Sequence, residues 1–226
     1  MKNGIEDIKN GRFTTLFLAV ASIIILFLFI KHMNDSAASL GAPPEQPEIS
    51  ATVGNAEDSP VIVAYIDPLC PRCKEYHEDT LVKIKENYVD SNKLRLEVRL
   101  LSIIARESAP LVEFAMCGHD QGVFWDSLSL LYERLYRDND KSSVDNANRF
   151  FKDYSSAELA KAIGADAKKL DACLSDGRYK TKLEKSNIAA QEGGVTSTPS
   201  TFIRGTDPLR GYVTFDQIKP LLDQVK

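Results

Sequence analysis

Cys70 and Cys73 stand two residues apart in Cys70-Pro71-Arg72-Cys73. At that spacing two thiols can close into a disulfide and reopen, or supply half of a zinc site. Zinc needs two further ligands, and Cys117 and Cys173 do not form a second pair of this kind, so no metal is expected. Thiol–disulfide exchange needs one reactive thiolate and one thiol that resolves the mixed disulfide. The first cysteine falls at a predicted helix N-terminus, where unpaired N–H groups and the helix dipole favour a thiolate. Arg72 is expected to add positive charge beside it. Cys73, one turn in, is expected to be less exposed, which makes Cys70 the nucleophile and Cys73 the resolving thiol.

The flanking elements have to create that junction. Val61 to Ile66 is a compact, β-branched apolar run, the mark of a buried central strand. Pro68 and Pro71 punctuate the turn, and Pro71 suits the first helical position. Tyr76, Thr80 or Leu81, Ile84 and Tyr88 recur at helical spacing, predicting a helix to about Val89 with one apolar face. Leu94 to Leu101 alternates apolar with charged residues as a second strand does. Strand, helix, strand is a βαβ unit with a parallel pair. From Arg106 to Glu192 the pattern is helical, with segments at 108–118, 123–137, 157–163, 166–174 and 179–191. Strands at 200–204 and 209–213 around Gly205, then a helix over 215–225, close the chain. The fold class is α/β: a central mixed sheet with an inserted helical domain.

The N-terminal region is of another kind. Phe13 to Ile30 holds eighteen residues without a charge, about 27 Å as a helix against a hydrocarbon core of about 30 Å. Lys2, Lys9 and Arg12 precede it, so the positive-inside rule leaves the N-terminus in the cytoplasm and the rest outside. A single uncleaved transmembrane anchor is favoured over a cleaved signal peptide, although Ser36-Ala37-Ala38 offers small residues for cleavage. The expected organisation is a cytoplasmic N-terminus over 1–12, the anchor over 13–30 and a Pro- and Gly-bearing tether over 31–60, with a short strand near 49–53. The βαβ half follows over 61–104, the helical insertion over 105–192 and a ββα half over 193–226. The first 33 residues hold four basic against two acidic side chains, so the chain's net −4 becomes −6 for the remainder. An acidic exported part argues against nucleic acid as a partner.

At Asp67-Pro68-Leu69-Cys70-Pro71-Arg72-Cys73, Cys117 to Trp125 (CGHDQGVFW) and Gly194 to Gly205 (GVTSTPSTFIRG), the chain resembles the DsbA-like branch of the thioredoxin superfamily. The resemblance covers roughly Val61 to Val225. It implies a thioredoxin-like fold, a cis Pro199 preceded by Thr198 and facing the cysteine pair, and a redox disulfide with no other cofactor. It also implies disulfide donation to reduced exported proteins, with regeneration by a membrane quinone-linked oxidase of the DsbB or VKOR type. Two positions depart from the family. Ala64 stands where many members carry a buried acid, leaving Asp67 or solvent to take the Cys73 proton, and Ser197 stands where Gly is common.

Cys117 and Cys173 read either as two buried apolar cysteines or, in an oxidising compartment, as a structural disulfide stapling the helical block. His77, one turn after Cys73, reads as a solvated helix residue that would add positive potential when protonated. An anchored monomer is expected. The competing functions are a disulfide reductase or isomerase of the same fold, and a non-catalytic thioredoxin-like binding module.

Overall fold

Strand β2 (Val61–Ile66) is buried on both faces, which explains its unbroken apolar run. Ile62, Ala64 and Ile66 enter the main core, while Val63 and Tyr65 point the other way with Ala190, Val195 and Phe202. The computed structural model describes residues 18, 20–31, 42–44, 49–54, 59–137 and 142–225. Its five-stranded mixed sheet has the order β1 (Ser50–Val53), β3 (Arg95–Leu100), β2, β4 (Ser200–Phe202), β5 (Leu209–Arg210). β2 pairs in parallel with β3 and antiparallel with β4. β1 lies antiparallel to β3, inside the stretch read as a tether. The Tyr65–Ser200 register sets the start of β4 beside the end of β2, so the residues before Ser200 face those after Ile66.

One helical run follows β2. α2 (Pro71–Glu75) and α3 (Val82–Ile84) alternate with two π-wound segments, Tyr76–Leu81 and Lys85–Val89. Bonding from i to i+5 puts more residues in each turn and widens the buried stripe, so His77 and Thr80 join Tyr76, Leu81, Ile84 and Tyr88 inside. Tyr76 Oη and Thr201 Oγ1 are hydrogen-bonded at 2.7 Å, tying this run to β4.

Between β3 and β4 lie α4 (Ser108–His119), α5 (Phe124–Leu135), α6 (Ser143–Asp153), α7 (Ser156–Ile163), α8 (Ala167–Asp176) and α9 (Lys180–Glu192). α6 falls where the sequence predicts a polar break between helices. It buries only Ala147 and Phe150, and a capping box between Ser142 and Asp145 starts it. β5 is shorter than expected, Leu209–Arg210, because the chain turns at Gly211 (φ +84°) and then bonds to the helical run instead. Thr80 Oγ1 donates to the Val213 carbonyl at 2.7 Å and Tyr212 donates to Asp79 at 2.9 Å. α10 (Phe215–Leu222) closes the chain.

Contacts divide the chain into residues 1–40 and 41–226. The second unit holds the sheet and helices α2–α10, and one apolar cluster runs through both sheet and insertion. In the first unit, α1 (20–31) exposes large apolar side chains from Val20 to Ile30. Among the described residues no helix is long and apolar enough to cross a membrane. Residues 13–17 and 19 of the expected anchor, residues 1–12 and much of the tether lie outside the described residues.

Candidate active site

Cys70 caps the helical run with extended backbone (φ −81°, ψ 117°), and Pro71 occupies the first turn. The preceding turn is closed by the Cys70 amide donating to the Asp67 carbonyl at 3.0 Å. Both thiols are free and buried, Cys70 at 5% exposure and Cys73 at 0%. Thr198-Pro199 is a cis peptide, and Cys70 Sγ lies 3.3 Å from the Thr198 carbonyl oxygen. The cysteines and the Pro199 loop, 128 residues apart in sequence at that contact, thus meet at one end of the β2–β4 pair.

The two thiols are driven apart in acidity. A hydrogen bond from Cys73 lowers Cys70 to about 6, against the opposing effect of burial and with further help from the Thr198 side chain and the Cys73 and Arg72 amides. Burial raises Cys73 well above the ordinary thiol range, and the Cys70 charge adds to this. Cys70 is therefore the group that carries negative charge at neutral pH, and Cys73 the group that keeps its proton.

One neighbour behaves differently from the sequence expectation. Arg72 does not put its charge on Cys70. Its side chain turns to solvent and pairs with Glu75 at 2.6 Å, leaving only the backbone amide to act on the thiolate. Asp67 is completely buried, which raises its pKa against the lowering effect of the hydrogen bonds that occupy its carboxylate. Oδ1 accepts from the Leu69 amide (2.8 Å) and Ser108 Oγ (2.7 Å), and Oδ2 accepts from the amides of Ile103 (2.8 Å) and Ile104 (2.9 Å). It clamps the β3–α4 loop to the redox turn, and it meets Cys73 through its backbone.

His77 also corrects the reading. It is 2% exposed, hydrogen-bonded through Nε2 to Ser129 Oγ at 3.0 Å, and packed on Trp125 and Tyr132 at 4.8 and 5.2 Å. Burial lowers its pKa to about 4, with Lys74 adding to the effect, so it is neutral and supplies no positive potential at pH 7. Cys117 and Cys173 are bonded, joining α4 to α8 with Cα atoms 5.8 Å apart. Trp125, Ser129, Tyr132, Tyr136 and Ser143 of the insertion were not singled out as site residues. Ser143 Oγ donates to the Leu69 carbonyl at 3.4 Å, next to Cys70. The capping box at Ser142 was a signal for α6, but nothing in the sequence pointed to its position. Among the described residues no group of three His, Cys, Asp or Glu side chains could hold a metal ion.

A thioredoxin family model matches residues 47–224. The chain belongs to the thioredoxin family. Within it, the similarity is to DsbA-like proteins. A Rickettsia bellii protein provisionally named a protein-disulfide oxidoreductase is 26% identical over 159 residues, 70% of this chain and 58% of that protein. The chain thus spans little more than half of that relative. Disulfide bond formation protein D of Bacillus subtilis is 22% identical over 184 residues, 79% of either chain. The structure of Chlamydia trachomatis DsbA shares the fold at a TM-score of 0.62 and 22% identity, covering 80% of this chain and 93% of that one. Oxidised BdbD from Bacillus subtilis does so at 0.63 and 19%, covering 81% and 97%.

Proposed function

We propose that this thioredoxin-family chain is a protein thiol–disulfide oxidoreductase that oxidises thiols of exported proteins through Cys70 and Cys73. The observation that carries the reading is the division of labour in the pair: Cys70 held near 6, Cys73 buried and held protonated, and the cis Pro199 loop beside them. In the oxidised form a substrate thiolate attacks Cys70 Sγ, the Cys70–Cys73 bond breaks, and its electron pair leaves on Cys73, which then takes a proton. A second substrate thiolate attacks the substrate sulfur of the mixed disulfide. Cys70 leaves as a thiolate that is stable at neutral pH, and the substrate gains a disulfide while the enzyme gains two electrons. A stabilised reduced form makes its disulfide a stronger oxidant, which favours donation over reduction.

Working outside the cytoplasm, the domain would hang from the apolar N-terminal segment, supported by the all-round apolar surface of α1 and the basic residues before it. Its partners would be reduced exported proteins, and a quinone-linked membrane oxidase of the DsbB or VKOR type would return the pair to the disulfide. The test is the equilibrium potential of Cys70–Cys73 in the full chain, held in detergent and poised in a glutathione series. A value near about −120 mV is expected, and one near about −270 mV would make the protein a reductase. Absence of an exchangeable disulfide would leave a binding module.

A further inference from the structure

Three of the large apolar side chains that residues 41–226 leave exposed are Ile103 and Ile104 on the β3–α4 loop and Ile188 on α9. The loop is pinned on both sides. The Ile103 and Ile104 amides donate to Asp67 Oδ2 under the redox turn. One residue earlier, the Ser102 amide donates to Asn187 Oδ1 at 3.1 Å, and Asn187 Nδ2 donates to Ser102 Oγ at 2.9 Å. Asn187 is the chain neighbour of Ile188, so these bonds hold loop and helix together beside the cysteine pair. A pinned loop cannot turn its isoleucines inward without breaking those bonds. The gain from covering them is left to a partner.

Ser102 also lines a groove of about 270 Å³ between α4 and α9. Ala109, Pro110 and Leu183 give it apolar walls, and Glu113, Glu184 and Lys180 carry its charge. Glu184 stands one helical turn before Ile188, so groove and exposed isoleucine share a face of α9. Two carboxylates against one ammonium leave an excess of negative charge. Glu113 makes no hydrogen bond and no ion pair among the described residues. Burial raises its pKa, with the charge of Lys180 opposing. A cation brought to it would restore the stabilisation that burial removes.

We propose that this groove and the isoleucines beside it are a docking surface for the substrate polypeptide, where Glu113 selects a segment bearing a basic side chain among apolar ones. The inference rests on the redox reading above and narrows its substrate class. The stem of a substrate lysine or arginine lies along Ala109, Pro110 and Leu183 while its cation meets Glu113. Apolar neighbours in the same segment cover Ile103, Ile104 and Ile188. The same carboxylates repel an anionic lipid surface, which favours a cationic polypeptide as the occupant.

The test uses the full chain in detergent, oxidised at Cys70 and Cys73, with reduced two-cysteine peptides of fixed apolar sequence. Lys, Gln or Glu is placed in turn at each position flanking the cysteines. Each oxidation rate is divided by the rate of the same peptide with oxidised glutathione, which removes the effect of charge on the peptide's own thiols. At a set of neighbouring positions the Lys peptide is expected to outrun the Gln peptide about 3- to 5-fold, the scale of an ion pair at a half-exposed site. High salt should erase the difference. Glu113→Gln should bring the ratio near unity, and Glu113→Lys should turn the preference toward the Glu peptide. Glu86→Gln makes the same charge change at the far end of the helical run and should leave the ratio as it was. A ratio that survives Glu113→Gln, or falls equally with Glu86→Gln, overturns the proposal. So does a chain that sediments as a dimer until Glu113→Lys is made, since the groove would then belong to a second copy. Intact glutathione exchange with no preference for Lys at any position overturns the proposal alone. Failure of the unsubstituted chain to form any glutathione-exchangeable disulfide overturns the redox reading itself.

Discussion

A thiol that titrates near 6 is mostly thiolate at neutral pH, and at Cys70 the first cause is the neighbouring Cys73 thiol. Cys73→Ala should therefore move the Cys70 inflection up toward the ordinary thiol value, read by alkylation rate against pH. Arg72→Ala should barely move it, since that guanidinium is spent on exposed Glu75. The sign for stability follows from the lowered value. In the reduced protein the contribution of Cys70 is full above the unfolded thiol value of about 9 and is lost as pH falls through about 6. Asp67 gives a separate prediction. Asp67→Asn would turn an amide N–H₂ toward donors that now share a carboxylate, costing about 1–3 kcal/mol in denaturant unfolding. Burial raises the Asp67 pKa, but all four acceptor positions of the carboxylate are filled, so the substitution should leave the pH dependence of exchange in place. A profile altered by Asp67→Asn would return Asp67 to the role of proton acceptor.

Between elements, the contact that matters most to the site is the one between the helical run and α5. His77 fills it as a neutral ring against Trp125, Ser129 and Tyr132. Its lowered pKa means the folded state resists protonation. Its contribution is complete above the unfolded value of 6.5 and is lost as pH falls toward about 4. His77→Gln should flatten the stability–pH curve in that window by up to about 3 kcal/mol, measured by urea unfolding at several pH values. An unchanged slope would show that acid lability lies elsewhere. The disulfide works on another pair of elements. Closing a span of 56 residues is worth about 4 kcal/mol in unfolded-chain entropy, so a Cys117→Ser, Cys173→Ser double variant should lose stability on that scale while keeping the Cys70 inflection. The elements themselves were readable wherever the apolar period was strong, as in β2, the run after Cys70 and the α4 segment. α6 escaped because its helix rests on a capping box and two buried residues rather than on an apolar stripe. Cys70, Cys73 and Pro199 were legible from the motifs that carry them. The burial of His77, the place of Ser143 and the hydrogen bonds of Asp67 were not, since each depends on which distant segment packs over the redox turn.

At the scale of the whole molecule, two kinds of surface belong to one chain. Residues 41–226 bury their large apolar side chains with few exceptions, Ile103, Ile104, Phe151 and Ile188 among them, whereas α1 leaves nearly all of its own exposed. In water such a helix would leave apolar surface wet on every side at about 25 cal/mol per Å², and in hydrocarbon the same surface costs nothing. Three basic residues lie before it and the acidic domain lies after it, the charge arrangement on which the proposed export of the domain rests. The full chain is therefore expected to stay with membranes through an alkaline carbonate wash, and removal of residues 1–33 should make it extractable. Release of the natural product, with a mass beginning near Ser36-Ala37-Ala38, would instead show a cleaved signal. Orientation is read independently of retention. With the pair reduced, a membrane-impermeant alkylating reagent applied to intact cells should label Cys70, whose thiolate is the reactive form at neutral pH. Labelling only after lysis would put the domain on the cytoplasmic side, where reducing thiols would hold the pair as a dithiol and a disulfide donor could not work.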